Sequence, residues 1–410
     1  MIGSGLRRPP RSFPWQDDTV TWQGDSLNPA ALPGKIEFPR GRWATAACLL
    51  LCLAGALAYV EIEFAWTDNR GADFNQYRSA AILAGTGHLY DFDRIAVVER
   101  EHHNRLIPFG RLPFYALVFK PIAALPYAWG HLVWWIVNAL AIAGFVWLWP
   151  LKNWRWLAVA LFWSCPLAML LNYGQDTALF LLFATAALFL LVRRQDFAAG
   201  LVLAICASKF HLALALPVFL AANRRWRSIA GAVVGGFAIL AMSFATEGPS
   251  WPLRLLDLSR RPEFDPAPWR MPNIAGLITG APFAGALEIL LGMVVLAAVW
   301  RISRAADLPT GMAAALAGGL LLSHHSQAYD CVLLIPAMIV VLEGSVPSAL
   351  RCWALVLLTP LPYLCLLVES LSLAGRVLVV GFPLFVMLWP STAYRRSPKA
   401  GEAAYTADIR

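Results

Sequence analysis

The sequence predicts an all-α, polytopic membrane protein, on two observations. Hydrophobic residues make up 59% of the chain and charged residues only 14%, where soluble domains are nearer about half and about a quarter. The excess is gathered into runs with almost no charge, such as residues 44–60, 176–191 and 287–300. A helix of about 17–25 apolar residues crosses about 30 Å of hydrocarbon. A backbone in lipid must also satisfy its own hydrogen bonds, so these runs should be helical. No polar block is large enough to form a second, soluble domain. The seven cysteines lie in or beside apolar runs, without a CxxC pair or a loop framework, and read as small core residues.

Basic residues orient the runs. The net charge is +8, and Arg greatly outnumbers Lys. In a soluble protein this would suggest nucleic acid, but here the charges stand at the ends of apolar runs, where they set topology. No nucleic-acid partner is expected. Lys35, Arg40 and Arg42 precede the first run, 44–64, and argue for a cytoplasmic N-terminus. Further runs are 127–149, 156–171, 176–192, 229–244, 282–300, 311–323, 329–342, 349–367 and 373–389. An unusual pair, 198–208 and 210–222, is separated by Lys209 and followed by Arg224, Arg225 and Arg227. Read as two short helices, the pair returns the arginines to the cytoplasm and leaves Lys209 near the outer surface. Such helices are tolerated where protein or a polar cavity covers their ends. The scheme has about twelve crossings. It comprises a cytoplasmic tail (1–43), a membrane domain (44–390) and a second cytoplasmic tail (391–410). The sizeable loops 65–111 and 247–280 then lie outside, with Lys209 and the turns 172–176 and 324–330.

The polar residues of that face are the candidates for chemistry. From Asp73 a helical spacing brings Asp73, Tyr77 and Arg78 onto neighbouring turns. Phe74, Ala80, Ala81 and Ile82 would rest this interfacial helix on the membrane. An acid there can serve as general base for an acceptor hydroxyl, or merely cap the helix. Lys209, between apolar helices, stands where ionisable residues are costly and usually functional. It can hold phosphate as a point charge, or snorkel to the interface. His325 and Tyr329 stand at i, i+4 with Asp330 beside them. A hydrogen-bonded cluster is favoured there over a metal site, and neither metal nor cofactor is expected. In the second loop Arg254, Arg260, Arg261 and Arg270 are ordinary interfacial anchors or bidentate ligands for a lipid-linked phosphate. Glu288 should face other helices. No Gly-rich phosphate loop, HExxH or GxSxG is present.

Several stretches, taken in order, resemble a known family. They are Asp73-Phe74-Asn75-Gln76-Tyr77 with Gly85-Thr86-Gly87-His88-Leu89-Tyr90-Asp91, and Pro121-Ile122-Ala123-Ala124-Leu125-Pro126-Tyr127. Leu171-Asn172-Tyr173-Gly174-Gln175 follows, then Ala199-Gly200-Leu201 with Lys209, and Ser323-His324-His325 with Tyr329-Asp330. Together, over residues 44–342, they resemble glycosyltransferase family 87, the polyprenol-phosphate-sugar-dependent enzymes of the GT-C fold. Departures are Leu112-Pro113-Phe114 where the family has Pro-Pro, Phe210-His211 where Pro-Gln is common, and His324 in place of a Pro.

The resemblance implies a GT-C-like fold and transfer of a hexose, mannose first, from a polyprenyl-phosphate donor to a lipid or glycan acceptor. Asp73 would be the base of an inverting reaction, and Lys209 and His325 site residues. Lys209, Arg260 and Arg261 would hold the leaving phosphate, with Tyr77, Arg78, Gln175, Tyr329 and Asp330 lining the site. The protein would lie in a bacterial inner or plasma membrane among its lipids, with the site external. Two alternatives stay open: a transporter or flippase of lipid-linked sugars, since interrupted helices with a central charge occur in transporters, and a non-catalytic subunit. Against transport, no inverted repeat is evident, and the polar groups gather at one end of the spans.

Overall fold

The computed structural model describes residues 42–389 apart from 66–69, 103–105, 151–153, 262–266 and 345. The expected tails fall outside the described residues, save for 42 and 43 at the start of the first helix. Every regular element among the described residues is helical. Helix α1 (Arg42–Ala65) coincides with the first expected span. The first external loop is itself folded, into α2 (Ala72–Leu83) and α3 (Phe92–Glu99), and is followed by the short α4 (Pro113–Ala123). Helix α5 (Tyr127–Leu148) leads to three pieces, α6 (Trp154–Phe162), α7 (Cys165–Tyr173) and α8 (Thr177–Val192). Then come α9 (Asp196–Ile205), a 3-10 turn (Cys206–Leu212), α10 (Leu216–Ala222) and α11 (Trp226–Glu247). The second loop holds α12 (Trp251–Ser259) and α13 (Ile274–Leu277), before α14 (Ala284–Ala305) and α15 (Leu308–Leu322). Another 3-10 turn (Ala328–Leu334) precedes α16 (Ile335–Glu343), α17 (Ser348–Leu357), α18 (Leu361–Leu367) and α19 (Ser372–Leu388).

Among the described residues, α5, α11, α14 and the segment Glu369–Leu388 are each long and apolar enough to cross a membrane. Two bent pairs, α7–α8 at 116° and α17–α18 at 56°, raise the count to six. The protein is therefore a multi-pass membrane protein. Apart from the first, which falls on α1, the remaining crossings of the expected scheme fall on shorter helices, and two runs read as single spans are broken. The run 156–171 divides at Ser164, whose hydroxyl accepts from Leu167 N at 3.2 Å to start α7, with Pro166 in its first turn. The run 349–367 divides at Pro360 and Pro362, which open α18. As expected, the pair around Lys209 forms two short helices; Lys209 itself leaves helical geometry (φ −121°, ψ 61°), and Pro217 starts α10.

The expected interfacial helix is corrected. Helix α2 does not rest on the membrane, because protein covers nearly all of it. Phe74, Ala80 and Ala81 are buried, and only Ile82 of the expected lipid-facing set is exposed. The cover is aromatic and comes from α4 and α5: the Phe74 ring centroid lies 5.8 Å from Phe119 and 5.4 Å from Tyr127, and that of Tyr77 5.9 Å from Trp134. Helix α4, at 11 residues, is too short for a hydropathy reading to find.

Helices α9 and α11 approach through glycine. A Cβ on Gly231 would sit 2.2 Å from the Phe197 carbonyl oxygen, whereas one on Gly236 of the same helix meets nothing within 4 Å. Small residues permit such close backbone contact in membrane helices. Gly231→Ala should cost about 1–3 kcal/mol by overpacking, lowering the melting temperature of the purified protein. Gly236→Ala should leave it unchanged or raise it, by up to about 1 kcal/mol of helix propensity. Equal effects at the two positions would contradict this packing.

Candidate active site

The site is assembled at the break between α7 and α8. Helix α7 ends on Gly174 in the left-handed region (φ 75°, ψ 34°), which favours glycine. A Cβ there would also stand 2.9 Å from Phe74 Cβ, so the absent side chain is what lets α2 approach. Trp134 Nε1 donates to Gly174 O at 2.6 Å, and Gly71 N, just before α2, donates to Asn172 O at 2.8 Å. The first turn of α2, with Asp73, is thereby fastened to the break.

Asp176 occupies the N-cap of α8 but its side chain makes no capping bond. The carboxylate turns instead to two cations. Arg111 Nη2 lies 2.9 Å from Asp176 Oδ1, and Lys209 Nζ lies 3.4 Å from the same oxygen. Lys209 also donates to Asp330 Oδ1 at 2.7 Å and to Thr177 Oγ1. Thr177 Oγ1 in turn donates to Asp330 Oδ1 at 2.7 Å, and Gln327 N donates to Asp330 Oδ2 at 3.0 Å. Two acids thus face two bases, and all four are at least nine-tenths buried. Removing one partner from such a buried set typically costs about 3–5 kcal/mol, because a charge is left uncompensated.

Tyr77 joins this network to α2. Its hydroxyl accepts from Arg111 Nη2 at 2.8 Å and donates to Gln175 Oε1 at 2.9 Å. Gln175 Nε2 continues to Tyr329 Oη at 3.0 Å, and Lys209 Nζ lies 5.3 Å from the Tyr329 ring centroid. Burial raises the Tyr77 hydroxyl well above its ordinary pKa, against the opposing charge of Arg111, and keeps it a neutral donor. Asp73, buried one turn before Tyr77, acts electrostatically on Tyr77, Tyr329 and Glu99.

Of the residues singled out in the sequence, Tyr77, Gln175, Lys209, Tyr329 and Asp330 share one hydrogen-bonded network, with Asp73 one turn away. His325 lies beside it, its ring 6.4 Å from that of His211. Arg78 is half-buried with its guanidinium 5.8 Å from the Tyr127 ring, and its Nε and Nη1 find no acceptor among the described residues. Arg260 and Arg261 stand apart on the exposed rim, the first 3.7 Å from Asp257 and the second over the Phe92 ring. Glu288 is half-buried, lines a cleft with Ile274 of α13 and Leu321 of α15, and pairs with the exposed His324 at 3.1 Å. Arg111, Asp176 and Thr177 escaped the sequence reading. Asp176 had a signal, as an acid closing a polar turn between two apolar runs; Arg111 had none beyond its place at the loop's end.

A second buried acid stands near Asp73. Glu99 Oε1 accepts from Ser79 Oγ at 3.2 Å and Oε2 from Ile107 N at 2.8 Å. Burial, with the charge of Asp73 adding to it, pushes the Glu99 carboxyl from 4.5 up to about 8.

Comparison with known proteins agrees with the motif reading. The profile of glycosyltransferase family 87 matches residues 113–326. The chain is similar to a polyprenol-phosphate-mannose-dependent alpha-(1-2)-phosphatidylinositol pentamannoside mannosyltransferase of Mycolicibacterium smegmatis, 30% identical over 80% of this chain and 81% of the relative. A protein of the same description from Mycobacterium tuberculosis is 28% identical over 78% and 77%. No solved structure matches the chain.

Glu99 gives a pH test. Between 4.5 and about 8 the folded chain holds a proton that the unfolded chain has released. Its contribution to stability therefore falls as pH rises through that window, and is flat on either side. Glu99→Gln should remove that slope in denaturation measured across the window, and a slope unchanged by the substitution would contradict the assignment.

Proposed function

Because the chain belongs to glycosyltransferase family 87, we propose that it transfers mannose from a polyprenyl-phosphate donor to a hydroxyl of a lipid or glycan acceptor, at the external face of the membrane and with inversion. The donor and the lipid class of the acceptor follow the names of the relatives. The observation that carries the reading is the convergence of polar residues from four separate stretches, next to a buried acid on α2. Family membership favours transfer over transport.

Asp73 is the base in this reading. It lies in the first turn of α2, where the helix dipole favours an anion. It takes the proton of the acceptor hydroxyl as that oxygen bonds to the anomeric carbon. The bond from that carbon to the phosphate oxygen breaks, and its electron pair leaves on polyprenyl phosphate. The departing charge needs fixed positive groups. The three acceptors around Lys209 match its three ammonium hydrogens, so Lys209 supplies positive field rather than a free donor. Arg78, whose Nε and Nη1 have no acceptor among the described residues, is the better phosphate ligand, with Arg260 and Arg261 at the rim. His325, beside the Lys209 turn, completes the wall toward the substrate.

The proposed architecture is GT-C-like, with about twelve crossings that count paired short helices and both termini cytoplasmic. Helix α8 has 16 residues, so Arg193 and Arg194 stand about 24 Å along its axis from the site. Helix α10 likewise leads away from the Lys209 turn to Arg224 and Arg225. With basic clusters inside, the site faces out.

Asp73→Asn should lower transfer from radiolabelled polyprenyl-phosphate mannose by about 100- to 10,000-fold while the protein still inserts and folds; retained transfer removes Asp73 as the base. In a cysteine-free background, Thr86→Cys and His324→Cys should react with a membrane-impermeant maleimide on intact cells. Reaction only after the cells are opened would reverse the topology.

A further inference from the structure

Arg111 closes the first loop. Its guanidinium reaches three elements. Nη2 meets Asp176 Oδ1 at 2.9 Å, the Tyr77 hydroxyl at 2.8 Å and Gln175 Oε1 at 3.3 Å, while Nη1 donates to Ser208 O, just before Lys209, at 3.0 Å. The guanidinium carbon lies 5.2 Å and 5.4 Å from the ring centroids of Tyr77 and Tyr115. Its own carbonyl is held by Tyr90 Oη at 2.7 Å. We propose that Arg111 is a positioning residue for the transfer reaction, fixing Tyr77 and the α7–α8 break against the Lys209 turn and so setting the pose of α2 and Asp73.

Neutralising Asp176 does not by itself call for an arginine, since Lys209 already stands 3.4 Å away. What a guanidinium adds is direction, through a rigid fork of donors. Because the Tyr77 oxygen accepts from Arg111, its single hydrogen is left for Gln175 Oε1 at 2.9 Å, the nearer acceptor, or Asp176 Oδ1 at 3.3 Å, and Arg111 Nη2 also points at Gln175 Oε1. That fixes the Gln175 amide, whose nitrogen then reaches Tyr329. One ordered chain of donors therefore runs from Arg111 through Tyr77 and Gln175 to Tyr329, across the site. Tyr77 is one turn from Asp73, so holding its hydroxyl fixes the rotation of α2. A displacement of about 1 Å in a reacting group can cost about 100-fold in rate.

This inference rests on Asp73 as the base, and its test separates the two. Arg111→Lys keeps the charge and loses the fork. In purified, folded protein it should lower kcat by roughly 30- to 100-fold with donor KM within about twofold and the acid limb of the pH–rate profile unmoved. Arg111→Gln, which also loses a positive charge near the base, should move that limb to higher pH. Tyr77→Phe, which removes only the hydroxyl link, should reproduce the kcat loss, and it decides the matter if Arg111→Lys does not fold. An Arg111→Lys or Tyr77→Phe enzyme with kcat within about threefold of wild type overturns the inference. If instead Asp73→Asn stays active, the base assignment itself fails.

Discussion

The candidate site depends on the pairing of Asp176 and Asp330 with Arg111 and Lys209 inside the protein. Taking such charges out of water costs several kcal/mol per ion, recovered only where geometry is good and every remaining donor and acceptor is satisfied. Here the spare lone pairs and hydrogens go to Thr177, Gln327 N, Tyr77 and the Ser208 carbonyl. The carboxylates also stand at the starts of helical segments, where exposed N–H groups favour negative charge. Each charge comes from a different stretch of chain, so the network forms only when the α7–α8 break, the 3-10 turns Cys206–Leu212 and Ala328–Leu334 and the end of the first loop are all in place.

That requirement links the broken helices to chemistry. An unbroken span through residues 165–192 would put its polar turn in hydrocarbon. Breaking it at Gly174, by 116°, exposes backbone that neighbouring protein must satisfy. Trp134 Nε1 and Gly71 N at the start of α2 do so. The same break gives α2 its seat against Gly174, and aromatic rings from α4 and α5 hold it there. Asp73 thus rides on an element wedged between the charge network and an aromatic core, which holds the carboxylate in place as the proposed role requires.

Much of the fold could be read from the sequence. The runs 127–149, 229–244 and 282–300 appear as α5, α11 and α14 because each is long and nearly free of charge. Runs 156–171 and 349–367 misled because hydropathy does not register a capping serine or a proline pair within an apolar stretch. The spacing around Asp73 predicts helix α2 but not its surroundings, since its cover comes from Phe119, Tyr127 and Trp134, beyond the loop. The site divides the same way. Asp73, Lys209 and the 324–330 turn stood out as polar residues among apolar runs. Arg111 reaches Asp176 across 65 positions and Gln175 reaches Tyr329 across 154, and no local spacing records such partners.

The central claim is that Asp73 and this network perform a single displacement at the anomeric carbon. The most direct measurement is the anomeric configuration of the mannosylated product, read by nuclear magnetic resonance, from purified protein and a donor of known configuration. The account predicts a linkage opposite to that of the donor. A product that keeps the donor's configuration would contradict it, because a second nucleophile would then have to intervene.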